Sequence, residues 1–180
     1  YLQRVSGQPP TKFSVTPCCP DLAAFQSSAN GRDALRAEFD WGDKLVVCYC
    51  GSLAWYQWPE QSFRVFKLIL SFRPNAHFLG LTTQPQEMLA LLSRHGISGK
   101  NSTVLRVSPR DVPKYLAAAD LGLLLRDQTI VNRVAAPIKF GEYLASGTPV
   151  IISENIGDYS GQVRESGCGI VLDLGLDDNK

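Results

Sequence analysis

The chain has 180 residues, 18 basic against 17 acidic side chains, a formal net charge of +1, and 44% apolar residues. That is enough apolar content for a proper core in one large or two small domains, and balanced charge without a basic block excludes an electrostatic nucleic-acid or membrane-surface binder. No apolar run reaches the ~20 residues that span a bilayer, and the cysteines form no Cys-x-x-Cys or Cys/His cluster for zinc.

The five cysteines, Cys18, Cys19, Cys48, Cys50 and Cys168, read as ordinary buried thiols of a cytosolic protein. The chain opens at Tyr1 and its single methionine is Met88, so the expectation is a piece of a longer protein whose missing part precedes Tyr1.

Residues 1–25 are polar and proline-rich, with Phe13–Thr16 expected as a short edge-like strand stopped by Pro17. A loop and a polar amphipathic helix carrying Arg32, Arg36 and Glu38 follow over 27–39. Leu45–Cys50 reads as a central strand running into Gly51-Ser52 and on to a helix over 57–72, the form of the first phosphate-side loop of a doubly wound sheet. A lone glycine there is equally consistent with a plain tight turn. Trp55, Tyr56 and Trp58 could stack on a ligand or pack beneath a lid.

Ala76–Leu81 is the next expected strand and Pro85–His95 the next helix, its leucines on one face. Thr103–Val107 is a strand, with Ser108 as the cap and Pro109 as the first residue of a helix reaching Ala118. Asp120–Leu125 is a further strand, and 126–134 an irregular loop at its carboxyl end. Pro137–Ser146 reads as a helix with proline at its first position, ended by Gly147 and Pro149, and Val150–Ile152 follows at once as a buried strand. A helix over 157–166, a strand over 168–172 and a frayed acidic tail over 173–180 complete the chain.

Strands alternating with helices predict an α/β class and a Rossmann-like doubly wound parallel sheet. Its ligands would lie at the carboxyl ends of the strands, where the loops beginning at Gly51, Val107, Arg126 and Ala135 gather. Lys139 and Glu142 stand three apart in the helix opened by Pro137 and so share one side. A helix N-terminus with a lysine suits phosphate, and a carboxylate one turn deeper suits ribose hydroxyls. The same spacing also fits a solvent-side ion pair. His77 and His95 are given no catalytic role.

The string Pro137-x-Lys139-x-x-Glu142-Tyr143-x-Ala145-x-Gly147-x-Pro149-Val150-Ile151 resembles the signature of the second domain of GT-B glycosyltransferases of the group 1 (GT4-like) family. The run Val112 to Leu123 is similar to the helix and strand before that family's donor-site loop, and the likeness extends over about 16–172.

The resemblance implies a nucleotide-diphosphate sugar as donor substrate, with no further cofactor and no metal. Its base would lie against the loop after Arg106 and Val107 and its ribose on Glu142. The diphosphate would lie on the helix start near Ile138 and Lys139, with Gly51 and Ser52 on the donor side. The implied reaction is a retaining hexosyl transfer to an acceptor hydroxyl on a saccharide, lipid or small molecule, in a cytoplasmic protein of polysaccharide biosynthesis. The implied domain plan is an interdomain linker and edge strand over 1–25, a donor-nucleotide-binding domain over 26–172 and a tail over 173–180. The acceptor would be held by an N-terminal domain absent here, which could also tether the protein to a membrane.

Two departures stand out. The family's glutamate near the transferred sugar falls at Val134, and the Arg and Lys that follow its first glycine are missing from 51–57. Arg126 and Lys139 are the nearest cations able to stabilise the departing diphosphate, the catalytic role assigned to them here. A sugar-nucleotide epimerase of the same architecture and a non-catalytic nucleotide-binding module are the alternative readings.

Overall fold

A computed structural model describes residues 2–14, 16 and 18–174. The elements run α1 (Leu2–Ser6), α2 (Leu22–Ser28), α3 (Arg32–Glu38), β1 (Leu45–Cys50), α4 (Pro59–Phe72), β2 (Ala76–Leu81), α5 (Pro85–Arg94), β3 (Ser102–Leu105), α6 (Val112–Ala117), β4 (Leu121–Leu124), α7 (Ile130–Arg133), α8 (Ile138–Ala145), β5 (Val150–Ser153), α9 (Tyr159–Ser166) and β6 (Gly169–Leu172). All ladders are parallel and the sheet order is β3-β2-β1-β4-β5-β6. This is the doubly wound order, in which the crevice opens where the winding reverses, between β1 and β4.

Helices cover both faces, so the central strands read as near-continuous apolar runs rather than alternating ones. On one face Phe63 and Phe66 of α4 and Met88 and Leu92 of α5 pack on Val47, Tyr49, Phe78 and Leu123. On the other, Phe25 of α2, Leu35 of α3, Leu116 of α6, Phe140 and Tyr143 of α8 and Val163 of α9 pack on Val46, Cys48, Val150 and Ile152. Prolines open α4 and α5, where a missing N–H is harmless, and α9 stops at Gly167 in the left-handed region (φ 67°).

Several local expectations need correction. Phe13, Ser14 and Thr16 join no strand, and Val15 lies outside the described residues, so the edge strand is absent among those described. The segment instead leads into α2, whose Phe25 is 6% exposed in the core, so the domain begins before residue 26. Residues 126–134 are not wholly irregular, because Ile130–Arg133 forms a short helix. Ser108 caps no helix: its hydroxyl donates to Asp111, and α6 starts at Val112, with Pro113 in its first turn. Pro137 is the residue before α8 rather than its first. Cys18 and Cys19 are exposed, since they lie in the proline-flanked surface stretch outside the core. Of the frayed tail expected over 173–180, Asp173 and Leu174 are described, and Leu174 packs against the core face of α4 and α5 instead of fraying; residues 175–180 lie outside the described residues.

The arginines of α3 turn inward. Arg32 donates to the carbonyls of Ala117 and Ala119, each at 2.8 Å, and pairs with Asp120. Arg36 donates to Ala118 O at 2.9 Å and pairs with Asp120 at 3.1 Å. Asp120 also accepts the Val46 N–H at 2.8 Å, so one carboxylate ties α3 to the starts of β1 and β4, at the edge away from the crevice.

Candidate functional site

The β1–β4 ladder stops at the pair Tyr49 and Leu123. At that end of the ladder Tyr143 of α8 bonds to the β1 backbone. Its hydroxyl donates to Cys48 O and accepts the Cys50 N–H, each at 3.1 Å. The ring lies over Gly122, where a Cβ would stand 2.6 Å from it, so only glycine allows this approach. Tyr143 is fully buried, and it fixes α8 across the crevice with its N-terminus at the carboxyl ends of β1 and β4.

Two adjoining cavities open there. One, of about 340 Å³, is lined by Gly51, Ser52, Val107, Lys139 and Glu142, with Phe25 of α2 closing a side. The other, of about 210 Å³, is lined by Gly51, Gln57, Arg126, Ile138 and Lys139. Lys139 belongs to both. The structure therefore gathers every expected site residue except Arg106, which is exposed and lines neither cavity, leaving its neighbour Val107 as the wall.

Lys139 and Glu142 are paired as their spacing allows, but not as a solvent-side pair: their side chains are 25% and 13% exposed, at the cavity wall. Burial works against the charge on Lys139; the Cys50 sulfur and the Glu142 carboxylate outweigh it and raise its pKa, so the ammonium persists at neutral pH. Burial likewise pushes the Cys50 thiol up, against the pull of Lys139, and the thiol stays protonated. Burial lowers the pKa of Arg126, and its Nε has no hydrogen-bond partner among the described residues. Its Nη1 donates to Asn132 Oδ1 at 3.2 Å, which aims the guanidinium along the second cavity's wall.

The loop after β1 carries no cation and is stiffened by its own bonds. Tyr49 donates to Ser52 O at 2.6 Å, and Gln57 Nε2 donates to Ser52 Oγ at 3.0 Å. A Cβ on Gly51 would meet Gln57 Oε1 at 2.4 Å, so the glycine lets that carboxamide close over the turn. No group of three or more His, Cys, Asp or Glu able to hold a metal exists among the described residues. The arrangement offers two cations and the uncapped N–H groups of α8 to an anion, beside a carboxylate acceptor and an apolar wall.

Sequence reasoning missed Phe25 and Asn132. Phe25 is a lone aromatic in a proline-rich stretch, a weak sign of burial. Asn132 is fully buried, with Nδ2 donating to Tyr56 O at 2.9 Å and Asp127 Oδ1 at 2.5 Å, and nothing in a single sequence marks such a bond.

Sheet order, crevice and covering helices define a Rossmann-like α/β domain of the GT-B type. Residues 31–179 match the family of group 1 glycosyl transferases, and the chain belongs to it. Among solved structures it resembles WaaG, a glycosyltransferase involved in lipopolysaccharide biosynthesis, with 22% identity and a TM-score of 0.72 over 97% of this chain and 46% of WaaG. It resembles Anabaena Alr3699/HepE in complex with UDP-glucose at 16% identity and a TM-score of 0.64, over 87% of this chain and 42% of that one. It resembles the C-terminal domain of LpcC, a group 1 family protein of Francisella tularensis, at 13% identity and a TM-score of 0.59, over 79% of this chain and 74% of that one. At these identities the likeness is one of fold. No curated protein sequence matches the chain. The chain spans less than half the length of WaaG and of HepE.

Proposed function

We propose that this chain is the donor-binding domain of a retaining glycosyltransferase. It holds a nucleoside-diphosphate sugar in the two cavities at the crevice, for transfer of a hexosyl unit to an acceptor hydroxyl presented by another part of the protein. The observation that carries this reading is the meeting of Lys139, Arg126 and the α8 N-terminus around one cavity with Glu142 and an apolar wall in the next. Family membership supports it, as does the likeness to HepE, which was solved with UDP-glucose.

In this account the ribose hydroxyls donate to Glu142 and the base lies on Phe25 and Val107. The diphosphate takes the α8 N–H groups and Lys139. As the glycosidic C–O bond breaks, negative charge grows on the departing diphosphate, and two cations already in place stabilise it without reorganising. Arg126 takes the duty that the β1 loop, lacking cations, leaves open. Val134, 77% exposed at the family's acidic position, favours one rival reading, a module that binds the nucleotide and transfers nothing.

Calorimetric titration with UDP, GDP, ADP and their sugar conjugates tests the proposal. One nucleotide family is expected to bind, and Glu142→Ala to weaken it by about 1–3 kcal/mol, the cost of losing a buried polar partner. Tighter binding of the sugar conjugate than of the bare diphosphate supports the enzyme, and equal binding supports the module. Binding of none of them would overturn both.

A further inference from the structure

Outside the donor crevice lies a larger cavity of about 580 Å³, walled by Trp55, Trp58, Glu60, Gln61, Arg64 and Asp127. Its two sides come from distant parts of the chain, the turn between β1 and α4 and the loop after β4, and one buried residue holds them together. Asn132, with no exposed surface, donates from Nδ2 to Tyr56 O on one side and to Asp127 Oδ1 on the other. Thr129 Oγ1 donates to the same Asp127 oxygen at 2.8 Å. The wall is therefore set before any ligand arrives.

The lining has a definite chemistry. Trp55 is 68% exposed and meets Tyr56 edge to face (86°, 5.9 Å), so its indole is held by one neighbour and otherwise open to solvent. Trp58 sits in the left-handed region at φ 48°, a conformation costly for a bulky residue, just before the helix that carries Glu60, Gln61 and Arg64. The exposed Trp55 indole and the half-buried Trp58 indole offer flat faces to C–H groups, and carboxylate, amide and guanidinium offer acceptors and donors to hydroxyls. Two carboxylates against one guanidinium disfavour an anion, and four polar side chains disfavour a purely apolar ligand. The ligand that presents apolar C–H faces and many neutral hydroxyls together is a sugar.

We infer that this cavity is a saccharide-binding subsite separate from the donor crevice, taking a neutral sugar unit between Trp55 and the Glu60, Gln61 and Asp127 side chains. Asn132 couples the two places, because its Oδ1 accepts from Arg126 of the donor cavity while its Nδ2 holds Asp127. A sugar seated here lies one buried residue away from the cation assigned to the departing diphosphate.

The test is an NMR titration of the ¹⁵N-labelled 180-residue chain with maltohexaose, cellohexaose and chitotetraose, following the indole N–H signals, with and without saturating UDP. At least one saccharide is expected to shift the Trp55 and Trp58 signals saturably. Trp55→Ala is expected to weaken that binding about tenfold, the loss of one aromatic contact. Because Trp55 is largely exposed, this variant keeps the fold, which its remaining amide spectrum reports. Glu142→Ala is expected to leave saccharide binding within about twofold, since it acts in the other cavity, so failure of the donor reading and failure of this one are separable. The inference is overturned if no saccharide moves these signals, if Trp55→Ala binds as well as the parent, or if UDP displaces the sugar.

Discussion

Replacing Tyr143 with Phe removes one oxygen atom from the crevice and nothing from the packing, because the ring stays over Gly122. What is lost is the double link to β1. The hydroxyl donates to Cys48 O, a fully buried bond, and accepts from the Cys50 N–H, a half-buried one, each at 3.1 Å. A buried strand N–H left without its acceptor costs about 1–3 kcal/mol, a half-buried one lies lower in that range, and a carbonyl that loses one donor adds less, so the variant should be destabilised by about 2 kcal/mol. For a domain of this size that corresponds to roughly 4–8 °C in melting temperature. Urea unfolding of the parent and Tyr143→Phe, fitted with a common slope, measures it. Because Tyr143 also anchors the helix that carries Lys139 and Glu142, nucleotide affinity should fall alongside stability. A change below about 0.5 kcal/mol, within the range of ordinary surface substitutions, would refute the view that this hydroxyl holds the crevice together.

Two further perturbations test other parts of the account. Asp120→Asn leaves the Arg32 and Arg36 guanidiniums, still held by the carbonyls of Ala117, Ala118 and Ala119, without their carboxylate, and should cost about 2–4 kcal/mol in denaturant unfolding, since breaking a half-buried ion cluster leaves charge unpaired. His77 is buried, which lowers its pKa from 6.5 to about 4, with Lys44 adding to the shift. The folded chain thus resists protonation, so this contribution to stability is complete above pH 6.5 and is lost as pH falls from 6.5 to about 4. The loss reaches up to about 3 kcal/mol. Unfolding of the parent and of His77→Gln, which can keep a bond to Thr103, should be similar at pH 7.5, while at pH 4.5 the parent should have lost stability relative to the variant; equal pH slopes would contradict the assignment.

The alternation of apolar runs with turn residues made the sheet and most helices legible, because strands buried on both faces and proline-opened helices leave strong local marks. Lys139 and Glu142 were legible for the same reason: a pair three residues apart on a helix is a local fact. Arg32 and Arg36 were not. Their partners are the last carbonyls of α6 and Asp120, more than eighty positions away, so a helix face that looks solvent-bound is folded inward. Arg106 shows the converse, since strand β3 ends at Leu105 and the chain turns its next side chain outward, giving the wall to Val107. Asn132 and Phe25 owe their places to packing between elements, which no spacing in one sequence encodes.

The central claim is that the α8 N-terminus and its two charged residues hold a nucleoside diphosphate. The most direct test is a crystal structure of this chain with whichever of UDP-glucose, GDP-mannose or ADP-glucose binds most tightly. The diphosphate is expected against the α8 N–H groups and Lys139, with the ribose hydroxyls on Glu142 and the base beside Phe25 and Val107. A nucleotide bound elsewhere on the chain, or a diphosphate that touches neither Lys139 nor the start of α8, would contradict it.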